Sequence, residues 1–499
     1  MSTGHKIVSN VFFYFLDFFT LTLSGYIFWV MMGKMLPPEQ YGVLTAVLAL
    51  FYVLMTIALT GFPESLPKLI SEFTKKGHTA AAGGIIKYSF KVSMVIGLLF
   101  SAVIFFASGW ISQSVYGNAE MVGPLQMVAF LLFTANLGNV SKAALQGMQN
   151  FKMMFVADVV GNIGKLALAA GLVMLGWAAI GGAAAWVLYY AITALICGLA
   201  AFMAKIPAGT FDKRMLWRFS ALSTGSQLSY YLLQQAGVLI LAMLTNATTV
   251  AYFGVAALFG QVLMFVPSVM TGSVFPTFSE LWVTNKEAVR KLLSASLKLS
   301  VLSVLPFVAL FIVASKPLVE LIYSSAYLPA ASLFPVYMLG AFLFGPVQLL
   351  LITMYAIGRP GTRLGVISLG TILNIGLCFL LIPMLGMMGA AVAFMTSQVI
   401  AFAAALFVTN QSIPLSFSRR NLWAFPAVLI FAAVLATHVL TPILWLKAVI
   451  AVVALLIYVM ILFATHAIGR PELVLLDYFP DKFGFGTIKK AIRKIVEFF

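Results

Sequence analysis

Long and nearly uninterrupted apolar runs occupy most of the chain, and short polar breaks separate them. A helix needs about 20 apolar residues to cross the hydrocarbon core of a bilayer. Hydrophobic residues make up 62% of the 499 residues and charged residues only 9%, whereas an average soluble domain has roughly 25% charged residues. Strands of a transmembrane barrel would be segments of about 10 residues with alternating polarity. The sequence therefore predicts an all-α polytopic membrane protein.

The spacing of the apolar runs predicts about fourteen transmembrane helices, and two short breaks leave thirteen or twelve as alternatives. The first run is too long for the core of a signal peptide and lacks a small-residue cleavage site, so we expect it to be a permanent helix. The predicted spans are residues 10–32, 41–62, 88–108, 122–145, 155–175, 180–202, 220–244, 250–275, 297–313, 330–352, 364–382, 389–408, 422–440 and 444–465.

The net charge of +16 has a topological explanation. Lys and Arg are enriched in cytoplasmic loops of membrane proteins. If the N-terminus is cytoplasmic, nearly all of the 30 basic residues fall in inner segments or at inner helix ends. This distribution predicts an even number of spans, both termini in the cytoplasm and a location in the inner or plasma membrane. It also makes nucleic acid an unexpected partner.

Two halves of the chain repeat each other. Tyr41-Gly42-Val43 matches Phe253-Gly254-Val255, and Asn162-Ile163-Gly164 matches Asn374-Ile375-Gly376, each at an offset of 212 residues. Six predicted spans separate the members of each pair, so the repeats are parallel. Two six-helix bundles related in this way are an architecture typical of transporters, in which the substrate path lies between the bundles.

The repeat divides the chain into two six-helix lobes, a linker, two further helices and a tail. The first lobe is residues 1–204, the linker 205–219, the second lobe 220–410, the two further helices 411–466 and the tail 467–499. Residues 486–499 place apolar and basic side chains on opposite faces of a helix. We expect this tail to bind anionic lipids of the cytoplasmic leaflet; packing against the protein is the alternative.

Three motifs together with this helix plan resemble a known group of transporters. They are the Tyr41-Gly42 start, the Leu145–Lys152 segment LQGMQNFK and the Pro383–Ala391 segment PMLGMMGAA. The chain resembles the polysaccharide-type flippases of the multidrug/oligosaccharidyl-lipid/polysaccharide exporter superfamily. The resemblance implies two lobes in a V and flipping of lipid-linked oligosaccharides from the cytoplasmic to the outer leaflet. It also implies biosynthetic glycosyltransferases as candidate partners.

Flipping a sugar-phosphate headgroup requires a polar path, because the headgroup would otherwise lose its hydration in hydrocarbon. The chain has no G-x-x-x-x-G-K-[ST] phosphate loop, so ATP hydrolysis and a cofactor are not expected. An ion gradient, the membrane potential or substrate supply would drive transport. Lipid II flippases carry several arginines in the central cavity, whereas the predicted first, second, seventh and eighth spans have no Lys or Arg in their middles.

Ionisable groups inside membrane spans are costly, and they mark candidate sites. Asp17 lies in the first predicted span, and Asp158, Asn162 and Lys165 share one face of the fifth. In the functional interpretation, Lys165 contacts a phosphate, or one of the two carboxylates takes up a proton or a sodium ion. The alternative is an Asp17–Lys165 or Asp158–Lys165 pair that stabilises the N-terminal bundle.

Further polar residues are secondary candidates. Gln227 is 210 residues after Asp17 and would be its counterpart in the repeat; Gln227 and Gln234 could bind sugar hydroxyls or join helices. No metal-ligand cluster is expected. The candidates for a gate or for contact with anionic headgroups are Glu64, Lys87, Lys91, Arg359 and Arg363.

Three other functions are weighed against the flippase. An ion-coupled small-molecule exporter of the same superfamily is the main alternative, and the two extra helices argue against it. A membrane enzyme such as a polymerase is disfavoured, because the predicted outer loops are short and contain few charges. A scaffold for a biosynthetic complex is the last alternative. We therefore expect a transporter and not an enzyme.

Overall fold

The computed structural model describes residues 3–415, 453–458, 460 and 461. In these residues every regular element is helical. The α-helices are α1 Thr3–Met35, α2 Pro38–Ala58, α3 Phe62–Lys75, α4 Thr79–Trp110, α5 Val122–Gly147, α6 Phe151–Met174, α7 Ala178–Met203, α8 Lys213–Leu244, α9 Ala247–Thr284, α10 Lys286–Val313, α11 Ser315–Ile322, α12 Phe334–Ala356, α13 Pro360–Leu385 and α14 Met387–Ser412.

Twelve helical segments in the described residues are long and apolar enough to cross a membrane, with α2 and α3 forming one of them. The predicted all-α polytopic class is therefore confirmed. The predicted spans 422–440 and 444–465 lie outside the described residues, except for a short piece whose Tyr458 hydroxyl donates to the Leu302 carbonyl of α10 (2.8 Å). The predicted basic tail also lies outside them.

The helix boundaries follow the predicted repeat. α2 begins at Pro38 and α9 at Ala247, 209 residues later. α6 begins at Phe151 and α13 at Pro360, 209 residues later. Equal spacing at both places indicates that the same series of helices occurs twice in one direction along the chain.

Contacts divide the chain into two compact units. The first comprises Met1–Gly254, Ile322–Ala326 and Cys378–Ala390, and the second comprises Val255–Leu321, Tyr327–Leu377 and Ala391–Phe499. α8 packs against α2 and so belongs to the first unit, whereas the repeat groups α8 with the later helices. The lobe boundaries read from the sequence remain a prediction.

In the first unit, α5 is the central helix and packs against α2, α3, α4 and α7. α6 lies against α1 and α7. A buried apolar cluster joins the ends of α3, α4, α5, α6 and α7 that are predicted to be cytoplasmic, with Phe62, Leu66, Ile85, Leu145 and Cys197 fully enclosed. This packing fixes the relative positions of α1, α5, α6 and α7, which carry the polar residues described below.

A close helix crossing explains the repeated aromatic-Gly motif. Gly42 of α2 lies against the backbone of Ala247 at the start of α9, and a Cβ at Gly42 would overlap the Ala247 carbonyl. A Cβ at Gly254 would lie 2.9 Å from Cγ2 of Thr45. Small residues allow membrane helices to approach this closely. Both copies of the motif therefore serve the same crossing within the first unit.

The second unit has its own core, formed by α9, α10, α12, α13 and α14. α10 packs along α12, and the fully buried side chains include Phe278, Leu293, Leu350 and Met354. These residues are almost wholly aliphatic or aromatic. The polar cluster that follows belongs entirely to the first unit.

Candidate functional site

A buried ion-pair cluster joins α1, α5 and α6. The Lys142 ammonium of α5 contacts Oδ2 of Asp17 on α1 (3.2 Å) and also Oδ2 of Asp158 on α6. The other oxygen of Asp158 accepts a hydrogen bond from the Tyr189 hydroxyl of α7 (3.0 Å). We call Asp17, Lys142 and Asp158 the Lys142 cluster. One cation thus meets two carboxylates from two different helices.

The predicted polar face of α6 is present and extends the cluster along α1. Asn162 lies one turn beyond Asp158, and its amide donates to the Asp158 carbonyl (2.8 Å). Its Oδ1 accepts from the hydroxyl of Ser24 on α1 (2.7 Å). Asp158 and Asn162 are both buried. The face therefore points into the helix bundle, as its polarity predicted, and away from lipid.

Lys165 lies apart from the two carboxylates, in an aromatic enclosure. Its ammonium is 4.2 Å from the ring centre of Trp186, 5.3 Å from that of Tyr189 and 5.7 Å from that of Phe28. The side chain is fully buried, and Nζ has no hydrogen-bond acceptor among the described residues. Cation–π contacts with these rings stabilise the charge.

The predicted alternative in which Lys165 pairs with Asp17 or Asp158 is wrong, since both carboxylates pair with Lys142. Asp158 and Lys165 share a helical face, but seven residues place Lys165 about 10 Å further along the axis. Lys142 enters from the neighbouring helix at the depth of both carboxylates. Sharing a face is therefore not sufficient for an ion pair.

A cavity of about 200 Å³ opens beside the Lys142 cluster. Asp17, Lys142, Tyr14, Asn139 and Gln146 contribute its polar lining. The Lys142 side chain is 17% exposed, whereas that of Asp158 is fully enclosed. Oδ1 of Asp17 is buried without a hydrogen-bond partner in the described part of the chain. The polar lining of the cavity thus comprises one carboxylate, one shared ammonium, two amides and one phenolic hydroxyl.

The charges of the Lys142 cluster do not balance. Two carboxylates and one ammonium leave one net negative charge when all three groups are ionised. Uncompensated charge is expensive in a buried site. A proton or a monovalent cation at the unpartnered oxygen of Asp17 would neutralise it.

Lys142 was absent from the candidates predicted by sequence. It lies three residues before the end of the predicted span 122–145, a position typical of the basic residues at inner helix ends. The signal was nevertheless present, because Lys142 is a charged residue within a predicted membrane span. Its position opposite Asp17 and Asp158 could not be obtained from its own helix.

The remaining candidates of the first unit are dispersed. Gln227 and Gln234 lie half-buried on α8, and neither lines the cavity of the Lys142 cluster. Glu64 is exposed in the first turn of α3, next to Pro63 of the cavity lining. Lys87 and Lys91 line a different groove, between α4 and α7.

The two arginines predicted to contact headgroups belong to the second unit. The Arg359 guanidinium donates to the Ser412 hydroxyl at the end of α14 (2.7 Å). Arg363 lies with its guanidinium carbon 5.6 Å from the ring centre of Tyr355. Across the described residues, no three His, Cys, Asp or Glu side chains come together as metal ligands would.

Two solved structures share the fold of this chain. The chain is similar to "Lipid II flippase MurJ, inward closed conformation" with a TM-score of 0.74 and 14% identity, over 92% of this chain and 99% of that one. It is also similar to a multidrug resistance MATE family transporter of the MOP superfamily, with a TM-score of 0.68 and 16% identity, over 78% and 95%. The chain therefore shares the fold of both structures.

The twelve span-length apolar helices of the described residues define a multi-pass membrane protein with the fold of these solved structures. A family model described as "Polysaccharide biosynthesis protein" matches residues 31–332, and the chain belongs to that family. Stage V sporulation protein B of Bacillus subtilis (strain 168) is 22% identical over 454 residues, which are 84% of this chain and 86% of that protein. An uncharacterised membrane protein of Methanocaldococcus jannaschii is 20% identical over the whole of both chains.

Proposed function

We propose that the protein flips lipid-linked oligosaccharides or polysaccharide precursors from the cytoplasmic to the outer leaflet by alternating access. The observation that carries this proposal is the match to the polysaccharide biosynthesis family over residues 31–332. The fold shared with a structure named as a lipid II flippase supports it. A protein that moves lipid-linked sugars needs a membrane fold and acts in polysaccharide synthesis. Both observations therefore support this substrate class.

In this proposal the Lys142 cluster is the coupling site, and Asp17 is the acceptor of a proton or sodium ion. Its Oδ1 is buried and unpartnered among the described residues, and Asp17 is one of the residues that line the cavity. An incoming cation would neutralise the excess negative charge and change how strongly Lys142 holds α1 and α6 together. A change in contact between helices is the kind of event that can bias an alternating-access equilibrium.

The other candidates have proposed roles of lesser weight. Gln227 and Gln234 are proposed to contact sugar hydroxyls, and Glu64 to act at a gate. Lys165 could meet a substrate phosphate only after its aromatic enclosure opened, so we propose that it stabilises the bundle through Trp186 and Tyr189. The cell membrane is the proposed location, with both termini cytoplasmic.

An ion-coupled exporter of small molecules is the second candidate function. The structural similarity to multidrug resistance transporters favours it. The coupling role of Asp17 would be the same in both functions. The two candidates differ in the substrate and can therefore be separated by what crosses the membrane.

Transfer in proteoliposomes distinguishes the two functions. We expect the purified protein to expose a fluorescent polyprenyl-pyrophosphate oligosaccharide on the opposite leaflet faster than protein-free liposomes do, as measured by chemical quenching of the outer leaflet. A fluorescent phosphatidylcholine in parallel vesicles is the control and should remain at the protein-free rate. Equal rates with and without protein, together with efflux of a cationic dye under a proton or sodium gradient, would reject the flippase and support the exporter.

A further inference from the structure

A second cavity in the first unit combines apolar walls with three lysines. It has a volume of about 820 Å³ and lies along α4, α7 and the segment that follows α7. Lys87, Lys91 and Lys205 line it, and the other lining residues are apolar or glycine. No Asp or Glu is part of this lining. The groove therefore concentrates three positive charges without a neutralising partner of its own.

The three lysines converge because of local backbone structure. Lys87 and Lys91 are one turn apart on α4 and share a face. Lys205 follows the end of α7 at Met203, and its amide donates to the Phe202 carbonyl (3.1 Å). All three side chains are exposed.

The segment after α7 is held against α4, which fixes the third lysine near the other two. The Gly209 amide donates to the Ala80 carbonyl at the start of α4 (2.6 Å). A Cβ at Gly83 would overlap the Pro207 carbonyl oxygen, so glycine allows the segment to lie directly on the helix. The walls of the groove are therefore held in place by direct packing of this segment on α4.

The apolar walls indicate that the occupant is a lipid. Phe202 is 80% exposed and Met203 is 74% exposed at the edge of the groove. α4 and α7 are among the least buried spans of the unit, with 17% and 28% of their most apolar windows buried. Lysines at membrane helix ends extend their ammonium groups to the interface while their stems stay in apolar surroundings. A soluble anion would use the charges but leave the apolar walls bare.

We propose that the groove between α4 and α7 binds an anionic phospholipid, with its phosphate among Lys87, Lys91 and Lys205 and its acyl chains along Phe202 and Met203. Clusters of basic residues beside a membrane span are attracted to anionic lipids. The site is separate from the Lys142 cluster and does not depend on the proposed transport function.

Native mass spectrometry of the full chain tests this site. Phosphatidylglycerol is added to the detergent-purified protein, and phosphatidylcholine with the same acyl chains is the reference. We expect phosphatidylglycerol to be retained preferentially, and the triple variant Lys87→Gln/Lys91→Gln/Lys205→Gln to bind it roughly 100-fold more weakly. Lys205→Gln alone should weaken binding about fivefold.

The matched control removes the same charge elsewhere. Lys75→Gln/Lys152→Gln/Lys291→Gln changes three exposed lysines outside the groove, and it should retain phosphatidylglycerol like wild type. Equal loss in both triple variants, or no loss in the groove variant, would overturn the proposal. Displacement of the bound lipid by millimolar glycerol phosphate would also overturn it, because the groove would then recognise a soluble phosphate.

Discussion

Replacing Lys142 with methionine is expected to lower the free energy of unfolding by about 3–5 kcal/mol, because removal of one partner leaves buried charge uncompensated. Methionine keeps the length of the side chain but leaves Asp17 and Asp158 without their shared cation. Unfolding in a denaturing detergent, followed by circular dichroism, measures the effect. Lys152→Met changes an exposed lysine at the start of α6, and it should alter stability by less than about 0.5 kcal/mol.

A combined variant separates charge from packing in this prediction. Lys142→Met/Asp17→Asn/Asp158→Asn carries no ionisable group in the cluster, so it should recover most of the stability that Lys142→Met loses. Hydrogen-bonding amides would replace the carboxylates with nearly unchanged shape. A Lys142→Met variant as stable as wild type, or a combined variant no more stable than Lys142→Met, would contradict the assignment of the Lys142 ion pairs.

Gly42→Ala is expected to produce the second large effect, a loss of about 3 kcal/mol, which is the upper end for overpacking. The added Cβ would overlap the Ala247 carbonyl, and a backbone atom cannot move aside as a side chain can. α2 and the start of α9 would have to separate. The same unfolding measurement applies.

The matched control for this change is Gly171→Ala on α6. Gly171 is also helical, but no heavy atom lies within 4 Å of the position its Cβ would take. Alanine is favoured over glycine in a helix by about 1 kcal/mol, so Gly171→Ala should leave stability unchanged or slightly raised. Equal behaviour of the two variants would show that the crossing at Gly42 is looser than the structure indicates.

The membrane fold was predictable because each long apolar run corresponds to one membrane span. The repeat was predictable because several motifs recur at the same offset. The helix α3 was harder to predict from the sequence. Its residues were read as part of a polar segment between two spans, yet they form an amphipathic helix that buries Phe62, Leu66 and Ile70 and exposes Glu72. Hydropathy averaged over a span-length window does not detect so short a buried face.

The site was predicted in part, and its missing element has a physical reason. The periodicity of α6 correctly placed Asp158 and Asn162 on one inward face. It could not identify Lys142 as the partner, since that depends on the depth and rotation of α5 relative to α1 and α6. Periodicity alone favours Lys165 as the partner because it shares the helix, but in the structure Lys165 lies against the ring of Trp186.

The most direct test of the transport role of the Lys142 cluster is the gradient dependence of transfer by Asp17→Asn. Proteoliposomes containing wild type, Asp17→Asn or the surface control Glu72→Gln receive a fluorescent lipid-linked oligosaccharide and an imposed proton or sodium gradient. We predict that the gradient accelerates transfer in wild type and in Glu72→Gln, and that Asp17→Asn, folded as judged by circular dichroism, loses this acceleration. Equal acceleration in all three proteins would contradict the account and leave the cluster with a structural role alone.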